Sequence, residues 1–393
     1  MKKYLQITFL IIFYITSAQA DHQNEPYEPH DWGKFKVNGS DNFYKFLSEL
    51  VEDKNVKKEI KNTQRTGLIS YLLFENNKIK IDEENLPDYI KGDNEILPSK
   101  SVGKSLVSYV LGHAICEGYI DNIEVVLDDW LVLDGTLYKG QKLIDLLNMK
   151  AGDSGIIGER NFRTDNKISD TGINVNTRPL GEIFKLDIFE DAKKSRFSQY
   201  NYNALVTNII MNYTIFKSGD DYQKLLDKVF KEHVKVEDAV WFHKTVNSNY
   251  EKCEFFEKGD RHWYYNNCNL NPGKEVGRYS FYATRYDYLR IAKTMMDDWN
   301  SNNCPGRYLK EIYDRRIHKN KKSYKPEWFA GYSEKYGGQF HFDAVGLPRR
   351  KILGMDGFGG QQIIIDFDRQ KIIVVHATDR HYNWKKLVYN KLK

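Results

Sequence analysis

Ser101 and Lys104 have the residue types and the spacing of a nucleophile and its base. They open an almost wholly apolar helical run, and residues three apart share one face of a helix, so the amine can meet the hydroxyl. Apolar surroundings disfavour the ammonium and lower the pKa of a lysine, which frees the amine to take a proton. Such a serine can attack a carbonyl compound, with the N–H groups of the helix N-terminus close to the developing oxyanion.

The same pattern has a structural alternative, in which Ser101 caps the helix and Lys104 is solvated in its first turn. A chain of this composition contains about two such pairs by chance, so the pair needs support from its context. Residues 103–105 (Gly-Lys-Ser) also match the last three positions of a P-loop motif, but Pro98 stands where that motif requires its first glycine. Residues 152–155 (Gly-Asp-Ser-Gly) resemble the serine motif of trypsin-like proteases, but helical sequence precedes them, so we interpret them as a turn.

The elements that must position this pair are predicted from hydrophobic periodicity. Residues 69–81 have the pattern of two strands around an Asn-Asn turn, and residues 339–343, 362–365 and 371–375 that of C-terminal strands. Apolar residues at helical spacing dominate between them. The predicted class is therefore α/β in the broad sense (α+β): an antiparallel sheet built from N- and C-terminal strands, flanked by helices, with a helical insertion at about 120–300.

The N-terminus indicates export. Residues 1–20 combine two lysines, a short apolar run and a small-residue cleavage site, as a signal peptide does. A membrane anchor needs about 20 apolar residues and this run has roughly half of that, so none is expected. We predict a periplasmic or secreted protein with an extended lead-in at 21–40 and a single domain at 41–393. The net charge is +5, and +3 without the two leader lysines, which disfavours a nucleic-acid partner.

The four cysteines are Cys116, Cys253, Cys268 and Cys304, and no two are spaced as in a C-x-x-C metal site. In an oxidising compartment a Cys253–Cys268 disulfide is the favoured interpretation. His262 lies between those two, but two thiols and one histidine at irregular spacing are weak grounds for a zinc site. We expect no metal and no organic cofactor.

Several motifs in order resemble the serine hydrolases related to class C β-lactamases, a family that includes penicillin-binding proteins, small-ester esterases and aminohexanoate-dimer hydrolases. Residues 101–105 resemble the start of its nucleophile helix, and residues 146–152 its leucine-rich segment. Residues 278–292 are similar to a late helix, and residues 357–366 to the glycine-rich strand that lines the active site. The resemblance covers about 67–375 and implies a β-lactamase/transpeptidase-like fold.

The resemblance also implies roles for individual residues. Ser101 would be the nucleophile and Lys104 its base, and the N–H groups of Ser101 and Phe358 would form the oxyanion hole. A catalytic tyrosine is expected in residues 197–203, where we favour Tyr200 and keep Tyr202 as the alternative. Tyr202 and Asn203 are candidates for lining the substrate.

A third motif of the family, just before Phe358, differs in this chain from that of the antibiotic-directed members. Where they have Lys-Thr-Gly, this chain has Met355-Asp356-Gly357, with Asp356 and Gly357 as further candidates for lining the substrate. Met and Asp supply no cation for a substrate carboxylate, and Asp356 would repel one unless it points into water. This favours a small-molecule ester, amide or peptide-like substrate without that carboxylate. A D-alanyl carboxypeptidase or β-lactamase-like activity and a non-catalytic binding protein remain alternatives, and the oligomeric state is open.

Overall fold

The computed structural model describes residues 35–87, 95–157, 180–185, 189, 192–196, 198–242, 279–319, 329–347, 349–378 and 381–393. The predicted signal peptide, most of the lead-in, and Cys253, His262 and Cys268 lie outside these ranges. The predictions that concern them therefore stay predictions. In the part that is described, no helix is long and apolar enough to cross a bilayer.

The strands of the described residues form two sheets. In chain order the strands are β1 (Lys36–Val37), β2 (Leu47–Ser48), β3 (Leu68–Glu75), β4 (Lys78–Glu84), β5 (Ile96–Pro98), β6 (Val240–Phe242), β7 (Phe281–Thr284), β8 (Ile317–His318), β9 (Ser333–Gly337), β10 (Phe340–Ala344), β11 (Ile352–Gly357), β12 (Gln361–Asp366) and β13 (Lys371–Ala377). The larger sheet has the order β2-β4-β3-β13-β12-β11-β10-β9-β8 and is antiparallel except for the short parallel pair β2–β4.

The centre of the large sheet joins the two ends of the domain. Asn76 and Asn77 have φ of 53° and 58°, as a two-residue hairpin turn between β3 and β4 requires. β3 then pairs antiparallel with β13, with Glu75 opposite Lys371, and β12 and β11 follow in order. The prediction of one antiparallel sheet built from the N- and C-terminal strands is confirmed.

Helices cover both faces of this sheet. They are α1 (Lys54–Lys61), α2 (Thr63–Thr66), α3 (Val102–Cys116), α4 (Leu143–Leu147), α5 (Leu180–Ile183), α6 (Ala204–Ser218), α7 (Tyr222–Leu226), α8 (Arg285–Ser301), α9 (Cys304–Asp314), α10 (Phe329–Tyr332) and α11 (Asn390–Leu392). π-helical segments at Asp227–Val234 and Lys385–Tyr389 follow α7 and precede α11. Along β12, Ile363 and Ile365 belong to the core shared with α3, α6, α8 and α9, whereas Ile364 packs with α1, α10 and the C-terminal helix.

The smaller sheet adds strands to the middle region, for which the sequence analysis predicted helices. Its order is β1-β6-β7-β5, and β6 and β7 lie inside the region expected to be helical. These strands have only three or four residues, which is too short for an alternating pattern to stand out in the sequence. Their importance is positional: Pro98 of β5 pairs with Tyr282 of β7, and β5 leads directly into Ser101.

A disulfide that the sequence did not predict joins Cys116, at the end of α3, to Cys304, at the start of α9. The two cysteines are 188 residues apart in the chain. The bond therefore fixes the far end of the helix that begins beside Ser101.

Candidate active site

Ser101 and Lys104 are brought together at the start of α3. Lys104 Nζ lies 3.1 Å from Ser101 Oγ, which is hydrogen-bond distance. Lys104 is only 2% exposed, and this burial lowers its pKa from 10.5 to about 7. Ser101 makes no side-chain capping bond to the helix. The alternative of a capping serine with a solvated lysine is therefore wrong, and the amine is available as a base near neutral pH.

Two tyrosine rings enclose the amine of Lys104. Its Nζ lies 3.8 Å from the ring centroid of Tyr279 and 5.0 Å from that of Tyr202. The sequence analysis missed Tyr279, whose backbone carbonyl approaches α3 so closely that a Cβ at Gly103 would lie 1.9 Å from its oxygen. Glycine at position 103 thus allows the segment before β7 to close over the lysine.

The two candidate catalytic tyrosines, Tyr200 and Tyr202, pack against each other. Tyr202, whose ring lies over the lysine, also stacks on His341 with 6.5 Å between ring centroids. Tyr200 is buried and packs against Tyr202 at 6.4 Å and Tyr336 at 5.1 Å. The ring of Tyr202 therefore contacts Lys104, and the choice between Tyr200, preferred from the sequence, and Tyr202 as the catalytic tyrosine stays a prediction.

Asp153 holds the segment that carries these tyrosines. Its carboxylate accepts hydrogen bonds from Asn201 Nδ2 at 2.8 Å, Asn203 Nδ2 at 3.0 Å and the Tyr138 hydroxyl at 3.0 Å. Burial raises the pKa of Asp153, and the three donors oppose that shift. This residue lies in the 152–155 segment that sequence reasoning treated as a turn only. Its bonds to Asn201 and Asn203 tie it to the residues on either side of Tyr202.

Asn203 differs from its sequence-based expectation. It is completely buried, its Oδ1 accepts the N–H of Val206 at 3.0 Å, and its Nδ2 donates to Asp153 and to the Asn201 carbonyl. Its amide therefore caps α6 and orders the loop, which leaves it unable to line the substrate in this structure.

The loop before Ser101 is held against two strands. The Ser99 N–H donates to the Phe281 carbonyl at 2.7 Å, and Ser99 Oγ accepts the Phe281 N–H at 2.8 Å. Lys100 has a φ of 49°, a left-handed conformation that is costly for a non-glycine residue. A Cβ at Gly357 would lie 2.6 Å from the Ser99 carbonyl oxygen, so this glycine lets the end of β11 meet the nucleophile loop.

Phe358 follows Gly357 and therefore lies where β11 meets that loop, with its side chain 56% exposed. Gln361 Nε2 donates to the Phe358 carbonyl at 3.0 Å, and Gln361 Oε1 accepts the Ala377 N–H at 2.9 Å. This amide bridge fixes the turn that carries the Phe358 N–H, one of the two expected oxyanion donors.

Replacing Gln361 with alanine is expected to slow acylation of Ser101 by roughly tenfold, less than the ~10²–10³ that follows deletion of an oxyanion donor. The turn would lose its tie to β13 while the N–H itself stays. Rate constants for labelling by a fluorophosphonate would measure the effect. Gln362→Ala is the matched control, because the Gln362 amide makes no hydrogen bond within the described residues. Equal rates for both variants would contradict this role of Gln361.

Asp356 does not lie where the sequence analysis placed it. A Cβ at Gly354 would meet the Phe329 ring, so that face of β11 packs against α10, and Asp356 lies on the same face two residues later. Asp356 is 6% exposed and accepts the Ala330 N–H at 3.3 Å. Met355 and Gly357 share the opposite face, toward α3 and Ser99. Asp356 therefore neither points into water nor presents its carboxylate to the Ser101 side.

Comparisons with known proteins find no matching family model and no matching curated protein, but solved structures do match. A Bacillus anthracis protein assigned as a 6-aminohexanoate-dimer hydrolase is 14% identical, with a TM-score of 0.57 over 91% of this chain and 88% of that one. A penicillin-binding protein from Bacillus halodurans is 12% identical, with a TM-score of 0.57 over 87% and 99%. A class C β-lactamase from Rhodobacter sphaeroides is 11% identical, with a TM-score of 0.53 over 87% and 100%. The chain therefore has the fold of the serine hydrolases related to β-lactamases and penicillin-binding proteins, as its motifs predict.

Proposed function

We propose that this protein is an exported serine hydrolase that cleaves an ester or amide through an acyl-enzyme on Ser101. The observation that carries the proposal is the 3.1 Å contact between Ser101 Oγ and the buried amine of Lys104. A base with a pKa of about 7 is neutral in a large fraction of molecules at physiological pH and can activate a hydroxyl.

In the proposed reaction Lys104 takes the proton of Ser101 as Oγ attacks the substrate carbonyl carbon. The N–H groups of Ser101 and Phe358 stabilise the tetrahedral oxyanion, and the lysine returns the proton to the leaving group. Water, deprotonated by the same amine, then releases the acyl group. Tyr202 contacts the lysine and can share the proton transfers, and Tyr200 is the alternative for that role.

The substrate proposal rests on Met355. It is completely buried beside the core of α3 and supplies no cation where a substrate carboxylate would need one. Repulsion of a substrate carboxylate by Asp356 does not support this preference, since Asp356 lies on the other face of β11. A small ester or amide without that carboxylate is the preferred substrate, and penicillin recognition is the alternative.

The test is intact-mass analysis of the mature protein after reaction with a fluorophosphonate, with penicillin in a parallel sample. One adduct is expected on wild type and none on Ser101→Ala. Ser105→Ala is the matched control, because Ser105 lies in the same helix and donates to the Gln339 carbonyl. Labelling by penicillin would favour the penicillin-recognising alternative. A folded wild type that takes neither reagent would overturn the hydrolase and favour a binding protein.

The rate of acylation is expected to rise with pH, with a midpoint of about 7, because only the neutral amine of Lys104 can accept the serine proton. The measurement is the second-order rate constant for labelling by the fluorophosphonate, determined at several pH values between pH 5 and pH 9. Lys104→Arg should lose this midpoint, since a guanidinium stays protonated throughout the range. A flat wild-type profile would contradict the role of Lys104 as base.

A further inference from the structure

A second cluster of titratable side chains lies at the other end of α3. It consists of His113, His233 and Asp298, and one ligand atom from each lies within 4.8 Å of the other two. His113 is twelve residues after Ser101, so at ~1.5 Å per residue it is about 18 Å away along the helix. The cluster plays no part in the chemistry proposed for Ser101.

His113 in this cluster has an unused ligand atom. The residue is 6% exposed, and its Nε2 is buried without a hydrogen-bond partner among the described residues. Its ring lies 5.0 Å, centroid to centroid, from that of His233, whose Nε2 is 2.8 Å from Asp298 Oδ1. A buried nitrogen without a partner is unfavourable, and here it lies beside two further metal-ligating groups.

The carboxylate of the cluster is held in place by its own hydrogen bonds. The Tyr109 hydroxyl donates to Asp298 Oδ2 at 2.6 Å, and Asn303 Nδ2 donates to Asp298 Oδ1 at 2.7 Å. Partners of this kind orient ligating side chains in metal sites. The Cys116–Cys304 disulfide adds rigidity, because Cys116 follows His113 by three residues and Cys304 adjoins Asn303.

A cavity of about 300 Å³ borders the cluster and is lined in part by His233, Asp298 and Asn303. Of the basic side chains that line this cavity, Lys293 pairs with Asp297 at 2.5 Å and Arg290 with Asp287 at 2.8 Å, while Lys235 is exposed to solvent. An incoming cation therefore has a route to the carboxylate past basic groups that are either paired or screened by solvent.

We propose that His113, His233 and Asp298 bind a Zn²⁺ ion, with a fourth position open to the cavity. Two imidazole nitrogens and one carboxylate suit zinc, whereas Ca²⁺ and Mg²⁺ prefer oxygen ligands alone. Metal–ligand bonds of about 2.0–2.2 Å place tetrahedral ligands about 3.4 Å apart. The ligand atoms, which lie within 4.8 Å of one another, would move to that spacing, and the His233–Asp298 contact would open from 2.8 Å. The ion links α3, α8 and the π-helical segment Asp227–Val234.

The test titrates ZnCl₂ into the untagged, EDTA-treated mature protein by calorimetry, with the thermal midpoint as a second readout. About one zinc ion per chain and a higher midpoint are expected. His233→Asn should lose both effects and is the main variant, because a side chain 33% exposed can be changed without unfolding the protein. His381→Asn, at an exposed histidine, should retain both.

Co²⁺ provides an independent signature of the ligand set. The wild type should develop the visible absorption of a four-coordinate cobalt site, and His233→Asn should not. Zinc binding that is unchanged in His233→Asn, or absent from the folded wild type, would overturn the site. Fluorophosphonate labelling of Ser101 should be the same in both proteins, which verifies that the variant is folded.

Discussion

Replacing Lys104 with methionine is expected to slow acylation of Ser101 by orders of magnitude while raising the free energy of unfolding. Loss of the base should slow labelling by about 10²–10⁴-fold. The amine is 2% exposed, so an unbranched apolar side chain of similar length removes a buried polar group and should stabilise the fold by about 1–3 kcal/mol. Labelling rates and urea unfolding at pH 7 measure the two effects.

The stability gain from Lys104→Met should depend on pH in a defined direction. The pKa of Lys104 is about 7 in the folded protein, against 10.5 for an exposed lysine. Between these values the unfolded chain binds a proton that the folded chain does not, so the wild type loses stability as pH falls from 10.5 toward 7. The advantage of the methionine variant should grow over that interval and level off below it.

Lys142→Met is the control for this experiment, because Lys142 is half exposed and its pair with Glu124 is a surface contact worth little. It should label at the wild-type rate and show no such pH dependence. If Lys104→Met were instead destabilised and labelled normally, Lys104 would be an ordinary packing residue and the proposed mechanism would fail.

The parts of the site that the sequence predicts are those set by local geometry. Ser101 and Lys104 are three residues apart on one helix, so their contact follows from helical periodicity alone. Asn203 could have been recognised in the same way, because asparagine before an apolar helical run is a typical N-cap. Similarly, strand alternation places Met355 and Gly357 on one face of β11 and Asp356 on the other.

The parts that the sequence does not predict depend on distant segments. Tyr279 reaches Lys104 across 175 residues of chain, since 279 − 104 = 175, and only the close approach to Gly103 makes the contact possible. Cys116 and Cys304 are 188 residues apart, and any pairing of four cysteines was open from spacing alone. Such contacts arise from the way β5 and β7 pair and α3 and α9 pack, which no local pattern encodes.

Asp153→Ala is expected to lower the free energy of unfolding by about 3 kcal/mol, because three buried donors lose their acceptor. The Tyr138 hydroxyl is the most affected, since Asn201 and Asn203 each keep a second acceptor in a backbone carbonyl. Acylation should also slow by roughly tenfold, as the segment that presents Tyr202 to Lys104 loosens and proton transfer loses part of its support.

Urea unfolding and fluorophosphonate labelling of Asp153→Ala separate these two effects. Asp128→Ala, at an exposed carboxylate, is the control and should change neither quantity. If Asp153→Ala unfolds more easily yet labels at the wild-type rate under conditions where it is folded, Asp153 stabilises the loop without positioning the tyrosine. In that case Tyr279, the other ring over Lys104, would become a further candidate, beside Tyr200, for the phenol that shares the proton.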